Sequence, residues 1–239
     1  MPIYRAILAI ILCLTPHLSQ ASVDLEVIAD GVIDPLPIET DGPDIECADI
    51  EARLQAYDQM ALTHDRQVTD YLQQVSGALS QWFLALEPLK IGECRGVPAE
   101  GFNLMKNTAQ QVGGRAHMAV QNSVFLSRLL TPVLPALPIC LAADFAACDE
   151  ISDIFIDYSG KLLLHESANN SFLGDVSLRL NSLYETMSQY DCPALQNGSL
   201  AVLPDAANKV DTLTNTAYDN AEKLAIEFDR ISVSLSSCQ

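Results

Sequence analysis

The feature that most constrains this chain is the stretch from Asp44 to Leu86, in which inward residues recur from Ile50 onward at spacings that alternate between three and four for most of the run. Ile50, Leu54, Tyr57, Ala61, His64, Val68, Tyr71, Val75, Leu79, Trp82 and Leu86 share one side of a helix. Glu51, Arg53, Gln55, Asp58, Asp65, Arg66, Asp70 and Gln73 fall on the solvent side. Asp44 is placed to cap the helix, with acidic residues in its first turns, where the helix dipole favours them. No proline interrupts the run until Pro88. At 1.5 Å per residue it spans roughly 64 Å. A small globule cannot bury such a stripe, so the rest of the chain must supply helices of similar length.

Three later stretches have that length. Phe102 to Leu130 keeps the period through Met105, Ala109, Val112, Ala116, Ala119, Ser123 and Leu126, and small residues dominate its middle. Gly113-Gly114 weakens it locally. Asp149 to Tyr190 keeps the period through Ile151, Phe155, Tyr158, Leu162, His165, Asn169, Phe172, Val176, Leu180, Leu183, Met187 and Tyr190. The polar run Ser167 to Ser171 resembles a loop by composition, yet the phase does not slip across it. That predicts one long helix rather than a hairpin at Asn169-Asn170. The last helix opens near Pro204, where a missing N–H costs nothing, and runs to Cys238. Between them, residues 88–101 are a glycine- and proline-rich turn, and the prolines of Thr131 to Ala143 predict an irregular apolar lid. The expected fold is all-α: an elongated up-down four-helix bundle over 44–239, with disulfides at both ends.

Residues 1–21 read as a signal peptide, with one charge at Arg5, an apolar run from Ala6 to Leu14, and small residues Ser19 and Ala21 before the cut. Cys13 leaves with it. Residues 22–43 form an acidic extended arm without lysine or arginine, either a solvated leader or a tether for a basic partner. Its spacing does not fit a calcium loop.

Six cysteines remain: Cys47, Cys94, Cys140, Cys148, Cys192 and Cys238. An even count behind a secretory signal predicts three disulfides, and no Cys-x-x-Cys supports zinc. In the bundle, Cys94 and Cys192 fall at one end and must pair. At the other end, Cys140–Cys148 is preferred as a local staple, and Cys47–Cys238 as the tie between first and last helices. The predicted location is secreted, extracellular or periplasmic.

A formal net charge of -18 repels phosphate backbones and anionic bilayers, so nucleic-acid binding is excluded. No apolar run after the signal reads as long enough for a transmembrane anchor. Nucleophile and phosphate-loop motifs are absent, no cofactor is implied, and the chain is expected to be non-catalytic.

The one hint of a site is that His64 and His165 lie on inward stripes at similar heights. They predict either a polar layer with Asn169 that sets helix register, or a metal-binding pair with Asp65, Glu166 or Asp229 as further ligands. His117 reads as a partly exposed helix residue. Asn169-Asn170-Ser171 and Asn197-Gly198-Ser199 are glycosylation sequons, the second better placed. Two functions fit. One is protein–protein recognition, using apolar residues off the stripes: Val120, Val124, Phe125, Ile156, Leu163 and Leu164. The other is carriage of a small apolar ligand between the helices, beneath the proline-rich lid.

Overall fold

The computed structural model describes residues 25–40, 42, 45–92, 94–142, 145–196 and 200–238. The expected signal peptide, the capping residue Asp44 and the sequon at Asn197 lie outside them. Within them the regular structure is helical. The helices are α1 Glu26–Ala29, α2 Ile50–Leu86, α3 Ala99–Leu130, α4 Val133–Leu141, α5 Phe145–Met187, α6 Pro193–Gln196 and α7 Val202–Ser237.

Four of them are long, and they form an elongated up-down bundle. Helix α2 packs on α3 and α7, and α5 packs on the same two, so α2 and α5 face each other across the diagonal. Helix α5 holds its period through Ser167–Ser171 without a break, because Asn169 and Asn170 both point inward and are buried. Disulfides close both ends. Cys94–Cys192 joins the loop after α2 to the end of α5. Cys47–Cys238 and Cys140–Cys148 lie at the opposite end.

The apolar core is divided in two. One half, nearer Cys94–Cys192, contains Tyr71, Trp82, Met105, Val176, Leu183 and Val210. The other contains Leu54, Tyr57, Leu130, Phe155, Tyr158 and Phe228, whose aromatic rings meet with centroids 4.8 to 6.1 Å apart. A polar layer separates the halves.

Several expectations change. Helix α2 begins at Ile50, after a single 3-10 turn at Cys47–Asp49, rather than at Asp44. The lid is regular helix over Val133–Leu141. Pro135 falls in its first turn, where no intrahelical N–H bond is needed, and Pro138 lies on the exposed side. Residues 25–40 of the acidic arm are not a solvated leader. Leu25, Ile28, Ile33 and Leu36 are buried against the bundle, and the charges lie between them. Tyr71 Oη donates to Ile28 O, Lys223 Nζ to Leu36 O and Arg230 Nη1 to Glu39 O. The arm's acidity hid an apolar periodicity of its own.

The stretch Ala99–Leu141 also passes the length and hydropathy test for a membrane span, which the sequence reading denied to any later segment. Its inward residues Leu126, Leu130, Val133 and Leu137 pack in the bundle core. Only 28% of its apolar window is buried, and the other apolar side chains of the stretch face outward.

Candidate functional site

The polar layer is assembled at one height of the bundle. On α2, His64 and Asp65 lie between core residues Ala61 and Val68. On α5, His165, Glu166, Asn169 and Asn170 lie between Leu162 and Leu173. Helix α7 adds Asn220 between Ala217 and Leu224. Helix α3 presents the small residues Ala119 and Ser123 here, and Arg115 reaches in beside them. The six polar residues from α2 and α5 are each at most 5% exposed.

Two histidine–carboxylate pairs cross the diagonal reciprocally. His165 Nε2 lies 2.8 Å from Asp65 Oδ1, and His64 Nε2 lies 3.4 Å from Glu166 Oε2. Adjacent residues on each helix therefore answer adjacent residues on the other. Two amides orient the rings. Asn169 Oδ1 accepts from Arg115 Nη2 at 2.8 Å, which turns Asn169 Nδ2 toward His165 Nε2 at 3.1 Å. Asn220 Oδ1 accepts from the Leu36 N–H at 2.7 Å, and its Nδ2 donates to Asp34 O at 2.8 Å and faces His64 Nδ1 at 3.3 Å. The amide donor meets His64 at Nδ1, which leaves its Nε2 as the nitrogen on the Glu166 side. The same amide clamps the arm.

Burial alone would push His165 down. The hydrogen bond with Asp65 and the charges of Asp65 and Glu166 oppose this and prevail over Arg115, so its pKa is raised above 6.5. Burial, reinforced by neighbouring charges, pushes the phenols of Tyr57 and Tyr158, just below the layer, well up. They stay protonated at physiological pH.

The layer is not fully satisfied. Both Glu166 oxygens, His165 Nδ1 and Asn170 Oδ1 lack an aligned hydrogen bond, as does His64 Nε2 at its 3.4 Å distance. Asp65, His165 and Glu166 each offer a ligand atom within 4.8 Å of the others. A surface cleft of about 410 Å³ between α5 and α7 has Glu166 and Asn170 in its lining, with Asp219 and Glu222 beside them.

The layer thus brings His64, His165, Asn169, Asp65 and Glu166 together, while Asp229 and His117 are exposed outside it. Asn169 of the first sequon is 1% exposed. Spacing does not single out Asn220, because Ala221 satisfies the same apolar period. The small residues of α3 serve close packing: Ser76 Oγ donates to Ala109 O at 2.9 Å where α2 meets α3.

The residues off the stripes are on the outside. Ile156 and Leu164 are each 74% exposed, and Val124, Phe125 and Ile139 are about half exposed. Lys161 Nζ lies 5.1 Å from the centre of the Phe125 ring. No family model matches this chain, and no curated protein or solved structure matches it.

Proposed function

We propose that the protein is a secreted, non-catalytic recognition module, a disulfide-tied rod that presents an apolar face on an acidic body to another protein. One observation carries the reading. Within Ala99–Leu141, an 18-residue window has a mean hydropathy of 1.8, yet only 28% of it is buried. A helix that served the bundle core alone would turn such residues inward. Exposed apolar surface of this kind marks a contact site. With a net charge of -18, the partner surface is apolar with a basic rim. The disulfides suit an oxidising compartment, in line with secretion.

A photo-crosslinking residue at Phe125 or Ile139, in protein secreted by the host that makes it, should yield one defined protein adduct. The same residue at Asp211, exposed on α7, should not. Adducts confined to lipid would favour a membrane-surface role for the face. Equal labelling from all three positions would overturn the reading.

A further inference from the structure

We propose that the layer between the two core halves is a metal site, in which Asp65, His165 and Glu166 bind one divalent first-row ion such as Zn2+ or Mn2+. His64 holds Glu166 in place. This goes beyond the recognition reading and rests on different residues.

The donor set suits the ion. One imidazole and two carboxylates match ions that accept mixed nitrogen and oxygen ligands, and they exclude a soft thiolate-seeking ion. The spacing is near what coordination needs. Bonds of about 2.0–2.1 Å in a tetrahedron set ligand atoms about 3.3 Å apart. His165 Nε2 and Asp65 Oδ1 are already 2.8 Å apart, and no pair among the three groups exceeds 4.8 Å. Small side-chain rotations close the remainder.

A second observation comes from Glu166. Its side chain is 6% exposed, and neither oxygen has an aligned hydrogen bond. A buried carboxylate left so is costly unless a cation compensates it. Asp65 and Glu166 together carry two negative charges, which one divalent ion neutralises.

Supporting contacts are in place as well. His64 Nε2 lies 3.4 Å from Glu166 Oε2, beside the ligand carboxylate, and Asn169 Nδ2, 3.1 Å from His165 Nε2 in the metal-free chain, yields that nitrogen to the ion. All three ligands stand on long helices, which limits their drift. The cleft between α5 and α7 supplies an entry path to Glu166, and Asp219 and Glu222 at its rim attract cations.

The test uses the oxidised full chain, stripped with chelator and titrated by calorimetry with Zn2+, Mn2+ and, as a control, Mg2+. The expected result is one Zn2+ or Mn2+ per chain with a raised Tm. Glu166→Gln and Asp65→Asn should each weaken binding by more than about 100-fold, beyond the usual loss when a residue that only supports a ligand is changed, and His64→Gln by about 10–100-fold. The exposed Asp229→Asn should leave binding unchanged. Should a layer variant fail to fold, Co2+ in the wild-type chain keeps the proposal falsifiable, because paramagnetically shifted imidazole protons must appear. Absence of those signals, or one-to-one binding that survives both carboxylate variants, would overturn the proposal.

Discussion

His165 Nε2 lies 2.8 Å from Asp65 Oδ1, although the two residues are 100 positions apart and their helices are diagonal in the bundle. Diagonal helices in a four-helix bundle approach only through their longest inward side chains. This contact therefore holds only one register of α2 against α5. A shift of one turn would set Asp65 level with either apolar Leu162 or the amide of Asn169, and in both cases it would lose its histidine partner, at about 3–5 kcal/mol.

The pair makes the stability of the metal-free chain depend on pH. Folded His165 keeps its proton to higher pH than unfolded His165, because its pKa is raised from 6.5. Its contribution is complete below about 6.5 and is lost as the pH rises through the folded value. Urea denaturation at pH 5.5, 7 and 8.5 should show falling stability across this window, and His165→Gln should flatten the slope. An unchanged slope in that variant would place the pH dependence elsewhere.

Docking of the arm depends on Gly31. A Cβ there would come within 2.1 Å of the Tyr71 ring, which is 1% exposed and has no room to retreat. Gly31→Ala should lift residues 25–36 and abolish their amide-exchange protection, while α2 to α7 stay protected. Tyr71→Phe removes only the hydrogen bond to Ile28 O and should cost about 1 kcal/mol.

The adjacent glycines of α3 should respond with opposite signs. A Cβ at Gly114 meets nothing within 4 Å, so Gly114→Ala should stabilise the chain by about 0.5–1 kcal/mol. A Cβ at Gly113 would lie 2.6 Å from Ser76 Oγ, so Gly113→Ala should destabilise it by about 1–3 kcal/mol. Adding Ser76→Ala should recover much of that loss in a double-mutant cycle.

The disulfides should differ in weight. Cys47–Cys238 spans 191 residues and Cys140–Cys148 spans 8. In the chain-entropy model these loops correspond to about 5 and about 2.5 kcal/mol. Paired serine replacement at Cys47 and Cys238 should lower the denaturation midpoint about twice as far as replacement at Cys140 and Cys148. Equal losses would point to an enthalpic origin.

The sequence by itself determined the four long helices and their order, because a helical period held over about nine turns or more has no other low-energy solution. It also determined which end of the bundle each cysteine reaches, since a helix is a rigid ruler of 1.5 Å per residue. His64 and His165 were legible as inward residues at one height. Only the tertiary structure decided what they meet. Asp65 falls on the solvent side of the one-dimensional period and Glu166 off the inward stripe, although both stand among the candidate ligands, and they become buried because α2 and α5 face each other across the diagonal. Asn220 was illegible for a related reason. Its partners are the backbone of residues 34–36 and a ring 156 residues away, and no local pattern encodes contacts of that separation. The arm misled through composition. Its acidic residues dominate the count, whereas its docking is set by four apolar side chains and one glycine that fit the groove between α2 and α7.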